Sequence, residues 1–113
     1  MTRILVAFGA IAAVLAVAVT AQASTKANTL TATDGPGFTI TMSKKTVKAG
    51  TYTITVKDKS NIHDFHLTGP GVNKKTSVGA VKTYTWKLKL KKGTYTFVCD
   101  PHATIMKGTL KVT

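Results

Sequence analysis

Short stretches of strict alternation between apolar and polar residues dominate the chain from Thr29 onward. Side chains that repeat with a period of two face opposite sides of a strand, so this pattern predicts half-buried antiparallel β-strands. The outward positions are mostly threonine, which favours strands, and lysine, which discourages pairing between exposed sheet edges. The alternating segments are 38–42, 51–56, 84–90, 94–97 and 109–112.

Turn residues separate these segments, and no amphipathic helical stretch follows the N-terminal region. Trp86 lies in the middle of an alternating segment on its apolar side, so we expect it in the core. Segment 74–80 has no clear period, which predicts a loop or a poorly paired edge. Seven to eight short strands with frequent turns predict an all-β fold, a Greek-key β-sandwich.

The N-terminal region reads as a secretory signal peptide. Arg3 precedes an unbroken apolar run, 4–19, and Ala21-Gln22-Ala23 follows as a processing site of the A-x-A kind. The run is shorter than the roughly 20 apolar residues of a spanning helix. We therefore predict a signal peptide over residues 1–23, a single domain over 24–113, and a periplasmic or extracellular location. The alternative is an uncleaved N-terminal anchor.

The predicted mature chain is strongly basic. Fifteen lysines stand against four aspartates, without arginine or glutamate, which gives a net charge of +11 with histidines neutral. The expected partners are therefore acidic redox proteins or an anionic envelope surface, such as lipid headgroups or a wall polymer. Export argues against nucleic acid. The alternative is that the lysines only keep the protein soluble.

Cys99 is the only cysteine, so no disulfide can form within one chain. A single thiol in an oxidising compartment requires an explanation. A buried, inert cysteine is one explanation. Metal ligation is the other, because a bound thiolate is protected and metal binding adds folding free energy.

The residues around Cys99 favour the metal. Cys99, His102 and Met106 lie on one short loop that follows a strand, and a second imidazole is available upstream from His63 or His66. His63 would share its strand face with Phe65 and a leucine, so it should point inward, although a one-residue shift of register would select His66 instead.

Two histidines, one cysteine and a weak methionine are the ligands of a blue-copper site. Thiolate and thioether suit Cu(I), imidazole serves both Cu(I) and Cu(II), and the set is therefore acceptable to both oxidation states. Zinc is the main competitor, but its sites use nitrogen, thiolate or carboxylate ligands rather than methionine. An ordinary Met106 would simply fill a gap in the core.

On these residues the sequence resembles the cupredoxins, and among them the plastocyanin and amicyanin group. The resemblance covers nearly all of residues 28–113. It is most specific in the segments Asn61-Ile62-His63-Asp64-Phe65, Val98-Cys99-Asp100-Pro101-His102 and Met106-Lys107-Gly108. It implies an eight-stranded sandwich and one copper per chain, held by His63, Cys99, His102 and, axially, Met106. It also implies an electron port at the exposed edge of His102, ringed by Ala103, Ile105 and Pro70.

Two features depart from the pattern of that family. Asp64 stands where the family has an asparagine that ties the two ligand-bearing loops together. The negative charge of an aspartate at this position would lower the reduction potential of the copper. Three residues separate His102 from Met106, whereas plastocyanins usually have four and amicyanins two. The sulfur of Met106 could therefore lie closer to the metal than in those proteins, lie farther from it, or fail to bind.

These observations predict an exported, monomeric one-electron carrier rather than an enzyme, since no acid–base pair or open metal position is evident. A module that binds or delivers copper is the first alternative, although no flexible Met- or His-rich tail supports it. A structural or adhesive domain is the second, and it would be favoured by the loss of a ligand.

Overall fold

Two β-sheets pack face to face in the computed structural model, which describes residues 9–19 and 28–113. Residues 9–19 are exposed and have no regular secondary structure. The predicted cleavage after Ala23 lies outside the described residues. The strands are β1 Asn28–Asp34, β2 Ile40–Met42, β3 Thr46–Val47, β4 Gly50–Asp58, β5 His66–Gly69, β6 Val72–Lys75, β7 Lys82–Leu90, β8 Gly93–Val98 and β9 Lys107–Val112.

The first sheet has the strand order β2-β1-β4-β7, and the second has the order β3-β9-β8-β5-β6. Most neighbours are antiparallel, but β1 runs parallel to β4 and β3 runs parallel to β9. The fold is thus the predicted all-β sandwich.

The alternating pattern is confirmed where both faces of a strand are well defined. In β4 and β7 the inward residues Ile54 and Trp86 are paired and buried. On the opposite face, Thr53 is half-buried and Lys87 is exposed. The core between the sheets contains aliphatic and aromatic side chains from both, including Leu30, Ile54, Leu67, Tyr95 and Leu110.

Residues 28–113 form nine strands, one more than the upper predicted number. The difference comes from short polar strands, such as β3 and β6, that have too few residues to show a period. The sequence predicts a loop or a poorly paired edge for segment 74–80. Lys74 and Lys75 end the edge strand β6, and residues 76–80 form a loop, so each prediction holds for part of the segment.

The topology brings three loops to one end of the sandwich. The loop 35–39 follows β1, and the loop 59–65 follows the parallel neighbour β4. The segment 99–106 follows β8, which pairs antiparallel with β5, so it lies beside the start of β5. Among the described residues, no helix is both long enough and apolar enough to span a membrane.

Candidate metal centre

The segment between β8 and β9 is folded into a tight loop by its own backbone. Asp100-Pro101-His102 forms one turn of 3-10 helix, as expected where proline ends a strand. The amide of His102 donates to the carbonyl of Cys99 (3.0 Å), and the amide of Met106 donates to the carbonyl of His102 (2.9 Å). The amide of Cys99 donates in turn to the carbonyl of Met106 (3.0 Å). The two ends of the loop are thereby held together.

His63 reaches this loop from the segment between β4 and β5. We expected it on a strand, but it precedes β5, whose first residue is His66. The parity argument still gave the observed orientation, because His63 is fully buried and His66 is only half-buried.

Three candidate ligand atoms converge at the end of the sandwich. Nδ1 of His63 lies 3.0 Å from Nδ1 of His102, and Sγ of Cys99 lies 3.6 Å and 3.5 Å from these two nitrogens. Metal–nitrogen and metal–thiolate bonds of ordinary length place such atoms about 3.3–3.8 Å apart. The triangle is therefore close to the size that one metal ion requires.

The polar atoms of this cluster also favour a cation. Two imidazole nitrogens 3.0 Å apart repel one another through their lone pairs unless a proton or a metal ion lies between them. Nε2 of His63, on the other side of the ring, is buried and has no hydrogen-bond partner among the described residues. Two imidazoles and a thiolate together fit copper or zinc.

Met106 is fully buried, and its backbone belongs to the hydrogen bonds that close the loop. Met106 is thereby held on the same closed loop as Cys99 and His102. Its ligation through sulfur stays a prediction from the sequence.

The cluster reaches the surface at one side. His63 and Cys99 are fully buried, whereas His102 is partly exposed. The aromatic ring of Phe38 packs edge-on against both imidazoles, with ring centroids 5.2 Å from His63 and 5.0 Å from His102. Ile105, on the same loop as His102, is 63% exposed. The partly exposed imidazole thus lies beside exposed apolar side chains.

Phe38 was missed as a site residue, since its alternation with Ile40 and Met42 placed it on a core-facing strand. It lies instead in the loop 35–39 and is 56% exposed. The prediction that Pro70 contributes to the port is wrong. Its carbonyl accepts a hydrogen bond from the hydroxyl of Tyr95 and it contacts the start of β8, at the end of that strand away from Cys99.

Asp64 joins the two ligand-bearing loops, as the asparagine does in the family pattern. Its Oδ1 accepts a hydrogen bond of 2.6 Å from the backbone amide of Asp100. Burial raises the pKa of Asp64, because water no longer solvates its charge. Burial likewise raises the pKa of the Cys99 thiol. Binding of a metal by Cys99 must therefore release a proton.

His66 lies outside the cluster and has partners of its own. Its Nδ1 lies 2.9 Å from a carboxylate oxygen of Asp100, and its Nε2 lies 2.7 Å from Oδ1 of Asn73. These two hydrogen bonds, with that to Asp100 the larger effect, raise the pKa of His66. His66 therefore pairs with Asp100 on the surface of the loop and lies outside the cluster.

The sequence profile of the cupredoxin-like domain family matches residues 5–112. The chain belongs to the cupredoxin-like family. Solved structures agree with this membership. A substituted rusticyanin is 24% identical with a TM-score of 0.59 over 80% of each chain. Rusticyanin from Thiobacillus ferrooxidans is 22% identical with a TM-score of 0.58, covering 80% of this chain and 79% of its own.

Reduced auracyanin from the photosynthetic bacterium Roseiflexus castenholzii is 22% identical with a TM-score of 0.55, covering 77% of this chain and 98% of its own. At these identities the likenesses establish a shared cupredoxin fold. No curated protein matches the sequence. Family membership and the His63–Cys99–His102 cluster together indicate a copper-binding cupredoxin.

Proposed function

We propose that this cupredoxin is an exported type 1 copper protein that carries single electrons between redox partners. The observation that carries the proposal is the convergence of Nδ1 of His63, Sγ of Cys99 and Nδ1 of His102, with only His102 reaching the surface. We propose one copper ion per chain, with Met106 as an additional weak ligand. Rusticyanin, a structural neighbour, is a copper protein.

Copper in such a site supplies a reversible Cu(I)/Cu(II) couple. The protein supplies a fixed ligand loop, exclusion of water and a route to the surface. Hydrogen bonds from Cys99 to Met106 and from Asp100 to Asp64 fix the loop before metal binds, so little needs to move when the charge of the site changes. The buried imidazole of His63 and the ring of Phe38 exclude water from one side. The partly exposed edge of His102 is the shortest route between the site and a docked protein.

The proposed location and the proposed lack of catalysis rest on the N-terminal segment and on the number of ligands. A signal peptide over 1–23 would direct residues 24–113 out of the cytoplasm. The described residues contain a single cluster of three or more metal-ligating side chains, and four ligands would leave no position for a substrate. We therefore propose a carrier rather than an enzyme.

Voltammetry of the copper-loaded protein tests the proposal. A carrier should give a reversible one-electron wave and should retain Cu(I) through repeated cycles in the presence of a Cu(I) chelator. His66→Ala is a suitable control, since His66 lies outside the cluster and its loss should leave the wave in place. Rapid transfer of Cu(I) to the chelator would instead favour copper delivery, and an irreversible wave would contradict the carrier function.

A further inference from the structure

A groove opens between β2 and β9, beside the loop that carries His102 and Met106. Its volume is about 460 Å³. Ile40 and Met42 on β2 and the ring of Phe97 on β8 give it an apolar floor, while three exposed lysines also line it. These are Lys44, Lys45 and Lys107.

No acidic residue lines the groove, and none elsewhere neutralises these lysines. Three of the four aspartates, Asp34, Asp58 and Asp64, are buried, and the fourth, Asp100, is paired with His66. That pair is the only salt bridge among residues 9–19 and 28–113. The lysines of the groove therefore present an uncompensated positive charge beside an apolar floor.

Two segments that line the groove are directly connected in sequence to residues of the proposed electron port. Lys107 follows Met106 directly, and Ile40 lies two residues after Phe38, whose ring packs against His102. A partner protein with one segment bound in the groove would thus lie next to the exposed edge of His102. The same segment would have to offer negative charge to the lysines and an apolar side chain to the floor.

We propose that this groove docks an acidic segment of a redox partner, in which an apolar side chain is flanked by carboxylates. The inference rests on the proposed carrier function and adds the docking surface and the chemistry of the partner. The carboxylates would neutralise Lys44, Lys45 and Lys107, and the apolar side chain would cover Ile40, Met42 and Phe97. Charge attraction of this kind chiefly accelerates and orients docking, and salt weakens it.

A peptide-binding experiment tests the surface without requiring electron transfer. The probe is the peptide Glu-Glu-Phe-Glu-Glu, titrated into isotopically labelled Cu(I)-loaded protein and, in parallel, into the copper-free protein, with backbone NMR shifts as the readout. We expect the largest shifts at Ile40, Met42, Gly108 and Thr109. Replacement of the central phenylalanine by glycine should weaken binding several-fold, because the apolar contact is lost.

Matched variants separate the groove from the general positive charge. Lys44→Ser/Lys45→Ser/Lys107→Ser should weaken binding by at least about tenfold. The control, Lys57→Ser/Lys87→Ser/Lys89→Ser, removes the same charge from the outer face of the four-stranded sheet and should change binding less than about twofold.

Equal weakening by the two triple variants, or shifts spread over all exposed lysines, would overturn the proposal in favour of a diffuse field. Stronger binding to anionic lipid vesicles than to the peptide, with shifts on the sheet face rather than in the groove, would also overturn it. Peptide binding is measured with and without copper. A protein that fails to bind copper would therefore still show whether the groove binds the peptide.

Discussion

At the scale of single residues, Asp64 is the feature that most distinguishes this site from its family pattern. Its carboxylate accepts the amide hydrogen of Asp100 and stands one residue from His63. A negative charge here stabilises Cu(II) over Cu(I). Asp64→Asn keeps the acceptor oxygen and removes the charge, so the reduction potential measured at pH 8 should rise.

The surface substitution Asp100→Asn is the matched control for Asp64→Asn. It removes the same charge from a residue that is paired with His66 and partly exposed, so water screens its effect. The potential should change less than in Asp64→Asn. An unchanged potential in Asp64→Asn, or a larger shift in Asp100→Asn, would contradict the role assigned to Asp64.

A second buried carboxyl makes stability depend on pH. Asp34 is fully buried where β1 pairs with β4, directly beside Asp58. Burial, and then the neighbouring carboxyl, raises the pKa of Asp34 to about 7. The folded state thus retains a proton that the unfolded chain releases above its ordinary pKa of 3.8. The free energy of unfolding should therefore fall as the pH rises from about 4 through 7.

Urea unfolding of the copper-free protein at pH 5 and pH 8 measures this dependence. The loss contributed by Asp34 between these two pH values should reach at most about 3 kcal/mol, because about two pH units separate pH 5 from the folded pKa and each corresponds to roughly 1.4 kcal/mol. His66, whose pKa is also raised, contributes in the same direction, because its ion pair is lost as the pH rises through its folded pKa. Asp64, whose pKa burial also raises, acts in the same direction. Asp34→Asn should therefore reduce the dependence without abolishing it. A slope that is the same in Asp34→Asn would refute this assignment.

At the scale of elements, the β8–β9 hairpin controls the shape of the site. Gly108 pairs with Phe97 across the two strands, and a β-carbon at Gly108 would overlap the Phe97 ring. That ring stacks on Phe65, which follows Asp64 in the chain. Gly108→Ala should therefore destabilise the protein by about 1–3 kcal/mol in urea unfolding.

Gly79→Ala provides the control for the hairpin, because no heavy atom lies within 4 Å of a β-carbon at that position. It should leave the unfolding free energy within about 0.5 kcal/mol of the parent value. Equal stability of the two variants would show that the hairpin tolerates a side chain at Gly108.

Whether a strand could be predicted from the sequence depends on its length and on whether one of its faces is buried. The long strands β4 and β7 bury one face and expose the other, so alternation revealed them. The strands β5 and β6 have four residues each, and β6 has one buried residue, so no period was visible. Phe38 continued the parity of a strand but lies in a loop, because its ring packs against His63 and His102 rather than the core.

At the scale of the whole molecule, sheet topology decides what the sequence pattern leaves open. Parity selected His63 over His66, and the loop spacing grouped Cys99 with His102. The parallel pairing of β1 with β4, which brings Phe38 to the same end, requires contacts between distant segments. For the same reason, the sequence could not place Pro70 at the opposite end or locate a groove between β2 and β9.

The central claim is that His63, Cys99 and His102 form one thiolate–copper site. Titration of the purified protein with Cu(II), followed by visible absorption, tests it most directly, with Cys99→Ala and His66→Ala measured alongside. We predict an intense thiolate-to-copper charge-transfer band that saturates at one copper per chain, vanishes in Cys99→Ala and persists in His66→Ala. The absence of a band, or a band that survives in Cys99→Ala, would contradict the account.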